Sequence, residues 1–162
     1  MEDTLSPYLT KLNIMKRTLS LLLYLLPLLV VNGQSTSISI TEVADMPMPI
    51  SNNAVVEGWV NNIPYVYSFA GIDMTKTWSG ITLKSFRYNT VSDSWNSIPP
   101  LPDNMGKIAA AASWVDSIIY IIGGYHVLQN GNEISSNKVH RYDPRTNTYL
   151  SDGANLSLIH IS

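Results

Sequence analysis

The sequence holds 162 residues, 14% of them charged, with a formal net charge of -2 and no cysteine. So weak a charge offers no basic field for nucleic acid, and the lack of cysteine excludes disulfides, thiolate nucleophiles and cysteine-based zinc sites. Four Trp, nine Tyr, nine Gly and nine Pro favour short strands and turns over long helices.

Residues 1–14, "MEDTLSPYLTKLNI", place acidic groups where an export signal wants none, and are read as an upstream extension from a mis-assigned start. A signal peptide is expected over 15–33. Lys16 and Arg17 precede an apolar run from Leu19 to Val31, and Val31-Asn32-Gly33 supplies small residues for cleavage before Gln34. The run is short for a bilayer span, which needs about 20 apolar residues. The expected location is therefore secreted, extracellular or periplasmic, with a membrane partner only if the signal stays uncleaved.

Downstream the chain alternates apolar and polar residues between turn residues, without a sustained helical stripe. Landmarks then recur. "YSFAG" ends at Gly71 and "YIIGG" at Gly124, 53 positions on. "FRYNTVSDSW" carries Tyr88 and Trp95, and "HRYDPRTNTY" carries Tyr142 and Tyr149, each pair 54 apart. Trp59 and Trp114 lie 55 apart, and Pro49 lies 53 before Pro102. One period shared by several landmarks marks a repeat of one supersecondary unit.

The glycine pair, the Tyr-Asp or Tyr-Asn, and the aromatic seven residues later resemble the kelch repeat across roughly residues 39–150. Gly123, Gly124, Tyr142, Asp143 and Trp95 match the pattern at their own positions, while Ala70-Gly71 and Tyr149 depart from it. That resemblance implies an all-β fold of four-stranded propeller blades, one per repeat of about 50 residues. In the first copy the strands are expected near 54–60, 65–70, 83–88 and 93–98. Repeat 1 is placed at 50–101 and repeat 2 at 102–150. Residues 34–49 are expected to form a lone outer strand and loop, because "SISITEVADMPMP" resembles "SDSWNSIPPLP".

Gly71, Gly123 and Gly124 are expected to let aromatic rings approach the backbone, with Tyr88, Trp95, Tyr142 and Tyr149 as wedges between sheets. Asp143-Pro144 reads as a tight turn. Two blades and one strand make an incomplete β-propeller, expected to be marginal and sticky alone. Residues 151–162 are expected to be unstructured and partly artefactual, since "LSLIHIS" matches the translation of a transposon end used in sequencing libraries.

Function is expected in the blade-end loops, since packing occupies the strands. "IDMTKTWSG" offers Asp73, Lys76 and Trp78, and "LPDNMG" offers Asp103 and Asn104. "YHVLQNGNEISSN" offers Tyr125, His126, Gln129, Asn130, Asn132 and Glu133. Amides, carboxylates and aromatics suit a protein segment or a glycan. No catalytic residue, metal ligand or cofactor is assigned, because His126 and Glu133 lack metal-ligand spacing and no Gly-x-Ser-x-Gly turn occurs. The resemblance extends distantly to the sialic acid mutarotases, and kelch propellers also include galactose-oxidising copper enzymes. A carbohydrate-active propeller, with its site on further blades, is the alternative to a secreted binding module.

Overall fold

The computed structural model describes residues 37–157, together with Lys11 and Lys16. The expected upstream extension and signal peptide therefore lie outside the described residues, those two lysines apart. Contacts divide the chain into Met1–Thr41 and Glu42–Ser162. Residues 37–41, the described end of the first unit, are exposed and carry no regular structure.

The second unit is built from two four-stranded antiparallel sheets. Blade 1 runs β1 (Ala54–Val60), β2 (Ile63–Ile72), β3 (Ile81–Asn89) and β4 (Ser94–Ile98) in simple meander order. Blade 2 repeats the meander with β5 (Ala111–Val115), β6 (Ile118–Ile122), β9 (Val139–Asp143) and β10 (Thr148–Leu150). Between β6 and β9 the chain leaves the blade as a two-stranded hairpin, β7 (Tyr125–Val127) and β8 (Glu133–Ser135). The expected strands of the first copy fall within a few residues of the observed ones. The hairpin β7–β8, which polar composition reads as loop, is new.

Facing sides of the two blades form the core. Tyr67 and Phe69 of β2 meet Tyr142 of β9 edge-on at 6.0 and 5.7 Å between ring centroids, a favoured aromatic geometry. Ala54, Ile98, Leu101, Ile119 and Ile121 complete the buried cluster. Burial disfavours the charged phenolate and pushes the Tyr67 hydroxyl up to about 12.

Both outer hairpins close the same way. Tyr88 packs at a tilt against Trp95, 5.2 Å between ring centroids, and donates its hydroxyl to Asp93 Oδ1 at 2.6 Å. Tyr142 lies 5.2 Å from Tyr149 and donates to Asn147 Oδ1 at 2.6 Å. Asp93 and Asn147 both hold left-handed backbone, φ 47° and 55°, which short polar side chains tolerate best after glycine. The Tyr-to-Asx spacing of five is thus a turn closed onto its own strand.

Three expectations need correction. First, residues 37–49 form no strand. Backbone groups there find side chains instead of a sheet edge: Ala44 N–H donates to Asp93 Oδ1 at 2.8 Å, and Trp95 Nε1–H donates to the Ala44 carbonyl at 2.9 Å.

Second, the glycines ending β2 and β6 do not receive aromatic rings. A Cβ on Gly71 would strike Ile50 and the Ser51 backbone, and one on Gly124 the Ile108 carbonyl and Ala110. These glycines admit the strand-entry backbone, and their φ of 112° and 81° is left-handed. Ala70 takes φ 55° where Gly123 takes 66°, so both copies require the bend whichever residue stands there. The ring-on-glycine contact occurs instead at Gly58 of β1, where a Cβ would lie 2.8 Å from the Trp114 ring of β5.

Third, Trp59 and Trp114 are not structural equivalents. Trp114 pairs with Ile119, which pairs with Tyr142. In blade 1 the residue reaching Tyr88 through Val66 is Glu57. The first hairpin is longer by two residues on each strand, so Trp59 stands beyond the interface and is 50% exposed.

Candidate functional site

The connection 101–110 and the two blade-end loops meet at one end of the blades. On blade 1, the loop after β2 closes on itself. Asp73 Oδ1 accepts the Thr75 N–H at 2.9 Å and its hydroxyl at 2.6 Å, which hold the Asp73 carboxyl below its ordinary range. Lys76 donates to the Ser51 hydroxyl. A 3-10 turn, Trp78–Gly80, follows and leaves the Trp78 ring 47% exposed.

On blade 2, hairpin β7–β8 rises opposite. Tyr125 exchanges backbone hydrogen bonds with Ile108 at 3.0 Å, tying the hairpin to the connection. Its tip carries Asn130 and Asn132, with Asn130 Oδ1 accepting the Asn132 N–H at 3.0 Å.

Between these walls lies a groove of about 250 Å³, with Trp78 and Ile81 on one side, Val127 and Leu128 on the other, and Met105 and Gly106 between. Gly106 is needed there because a Cβ would lie 2.4 Å from the Ile81 carbonyl oxygen. Its carbonyl accepts the Nδ1–H of His126 at 2.9 Å.

Behind the Met105–Gly106 segment is a buried ionic network. Lys107, fully buried, places Nζ 2.7 Å from Asp103 Oδ2. Lys138 Nζ donates to Asp103 Oδ1 at 3.2 Å. His140, also fully buried, has Nδ1 2.9 Å from Asp152 Oδ1 and Nε2 3.3 Å from both Lys107 Nζ and Asp103 Oδ2. Because Asp152 only accepts, Nδ1 carries the proton. A neutral ring then accepts from Lys107, and a protonated ring donates to Asp103. Burial alone would push the Asp103 carboxyl up, but hydrogen bonds from Lys107, the Asn104 N–H and Lys138 hold it well below the usual carboxylate range.

The ladder shows what this network replaces. The bridges Ser51–Ile72 and Ile108–Tyr125 are equivalent, which puts Ile50 at the position of Lys107. Tyr88 and Tyr142 are equivalent, which puts Phe86 at the position of His140 and Lys84 at that of Lys138. Blade 1 therefore carries apolar residues, Ile50 and Phe86, at the positions where blade 2 buries Lys107 and His140.

Of the residues expected to bind, the structure gathers Trp78, Asp103, Tyr125 and His126 around the connection. Asp103 is not a free loop carboxylate, since it is sequestered under Lys107. Asp73 and Lys76 are engaged within their own surroundings, and Asn104, Asn130, Asn132 and Glu133 are exposed away from the groove's apolar lining. Sequence reasoning missed Met105, Lys107, Val127, Leu128, Lys138, His140 and Asp152. The signal for His140 was present, because "KSFRYN" aligned on "KVHRYD" sets His against Phe. Both nitrogens of this buried ring face network partners, Nδ1 toward Asp152 and Nε2 toward Lys107 and Asp103.

Paired four-stranded meanders stacked through aromatic faces define the blades of a β-propeller. A model of the Kelch motif matches residues 109–150. The Kelch-like protein terF of Aspergillus terreus is 31% identical over 115 residues, covering 68% of this chain and 24% of that protein. The solved structure of YjhT superposes with a TM-score of 0.48 at 20% identity, covering 67% of this chain and 28% of that one. The chain is a kelch-repeat protein, and it spans about a quarter of the length of the curated relative it matches.

Proposed function

We propose that the chain is an exported interaction module that holds an extended segment of a partner protein in the groove between Trp78 and hairpin β7–β8. The observation carrying this reading is the groove's lining: Trp78, Ile81, Met105, Val127 and Leu128 converge on about 250 Å³. An apolar side chain fits such a space, while the Gly106 backbone, Ser79 and Gln129 supply polar contacts to a main chain. Trp78 supports a glycan as the second reading, since a half-exposed indole offers a stacking face. Export rests on the leader over 15–33, and cleavage is expected to leave Gln34 as the first residue of the secreted protein.

Probing peptide and glycan arrays with the full chain tests the proposal. Capture by peptides bearing a central Leu, Met or Phe is expected, with at least tenfold less signal for Trp78→Ala and Met105→Ala. Capture of glycans alone would replace the first reading with the second. Equal capture by wild type and both variants would remove the groove from function.

A further inference from the structure

The cleft over β9 in blade 2 and the cleft over β3 in blade 1 are the same place in the repeat, and only one is filled by the chain itself. In blade 2 the incoming connection drops the Asp103 carboxylate onto the network, 3.2 Å from Lys138 Nζ and 3.3 Å from the buried His140 ring. Blade 1 puts Lys84 and Phe86 at those positions. Its incoming segment passes as Pro47-Met48, and a cavity of about 360 Å³ remains, lined by Pro47, Met48, Lys84, Phe86, Ser97 and Pro100 among others.

The extra length is visible in the ladder. Pro49 and Pro102 lie 53 positions apart, whereas Ser51 and Ile108, two and six residues further on, lie 57 apart. Blade 2 thus spends additional residues on the connection that carries Asp103, and blade 1 has no counterpart to it.

The two clefts differ in a way that defines a ligand. Lys84 makes no ion pair within 4 Å among the described residues, unlike Lys138. Its field reaches Asp73, whose carboxylate is already closed on Thr75. Beside this ammonium the wall is apolar, with Phe86 buried and Met48 and two prolines around it. A cation beside an apolar wall favours a single negative charge on a hydrophobic body over a multiply charged, strongly hydrated anion.

We propose that the blade 1 cleft binds a carboxylate carried on a small apolar group, seated against Lys84 as Asp103 is seated against Lys138. The carboxylate belongs either to a free organic acid or to the end of a polypeptide. The site is separate from the Trp78 groove and does not depend on it.

Titrating the full chain, labelled at the Met48 methyl, with phenylacetate and with uncharged phenylacetamide tests this by NMR and calorimetry. Phenylacetate should saturate at about millimolar concentration, as a fragment of this size does. Phenylacetamide should bind at least tenfold more weakly. Lys84→Met should erase that preference, and Trp78→Ala should leave it intact. An acetylated hexapeptide with a free C-terminal Phe, compared with its amide, separates the two sources. Tighter binding than phenylacetate, lost in the amide, assigns a polypeptide end. Binding no tighter than phenylacetate assigns a free acid. Acid and amide binding alike, an acid preference that survives Lys84→Met, or no saturable shift at Met48 would overturn the proposal.

Discussion

Blade 1 and blade 2 give opposite solutions to one packing problem. In blade 1 the third strand buries Phe86, and Ile50 stands at the ladder position of Lys107. Blade 2 buries His140 and Lys107 at the same ladder positions, pairing Lys107 with Asp103 and setting the His140 ring between Asp103 and Asp152. Burying charge is costly unless every group finds a partner, and blade 1 proves that the fold does not require it. The ionic version therefore fastens the connection that carries Met105 and Gly106, and makes its position depend on charge.

The comparison breaks most sharply at Asp103. Asp103→Asn leaves Lys107 buried beside a neutral amide, and should cost about 3–5 kcal/mol in urea unfolding. Acid should act in the same direction. The carboxyl's pKa is depressed in the folded state, so its contribution is fully present above the unfolded value near 4 and is lost as pH falls through the folded one. Wild type should keep this contribution down to about pH 4, and the difference from Asp103→Asn should shrink below that.

The converse change sharpens the contrast. Converting the network to apolar residues, with Asp103→Leu, Lys107→Ile and His140→Phe together, should be neutral or stabilising by about 1–4 kcal/mol, measured by the same unfolding curves. A large loss would mean that the blades are not interchangeable at this position.

Smaller effects concern how the blades touch. Gly58→Ala sets a methyl against the Trp114 ring and should cost about 1–3 kcal/mol, whereas the equally spaced Trp59→Ala, half exposed, should move stability by no more than about 0.5 kcal/mol. Trp95→Phe removes the indole donor from the Ala44 carbonyl and should cost about 1 kcal/mol, detected as faster hydrogen exchange around Ala44.

Strand positions and the repeat were legible because alternation and turn residues act locally. Four strands of the first copy follow from "AVVEGWV" to "SWNSI", and the Tyr-to-Asx closure lies within one hairpin. What the sequence concealed depends on register. A hairpin longer by two residues on each strand sets Trp59 apart from Trp114, though their spacing imitates the repeat. Hairpin β7–β8 is written in polar residues, because only one end of it is packed. Asp103, Lys107 and His140 read as ordinary loop and strand residues until the ladder sets them side by side. At Gly71 and Gly124 it is neighbouring backbone and small side chains, not rings, that need the space.

The bonds from Tyr88 to Asp93 and from Tyr142 to Asn147 each begin and end inside one hairpin. The outer half of a blade is thereby knotted to itself before any neighbour arrives. A cassette of that kind tolerates gene duplication well, since each new copy brings its own fastening. Its end loops and clefts are then left to diverge, one copy keeping a hollow and the next plugging it with charge.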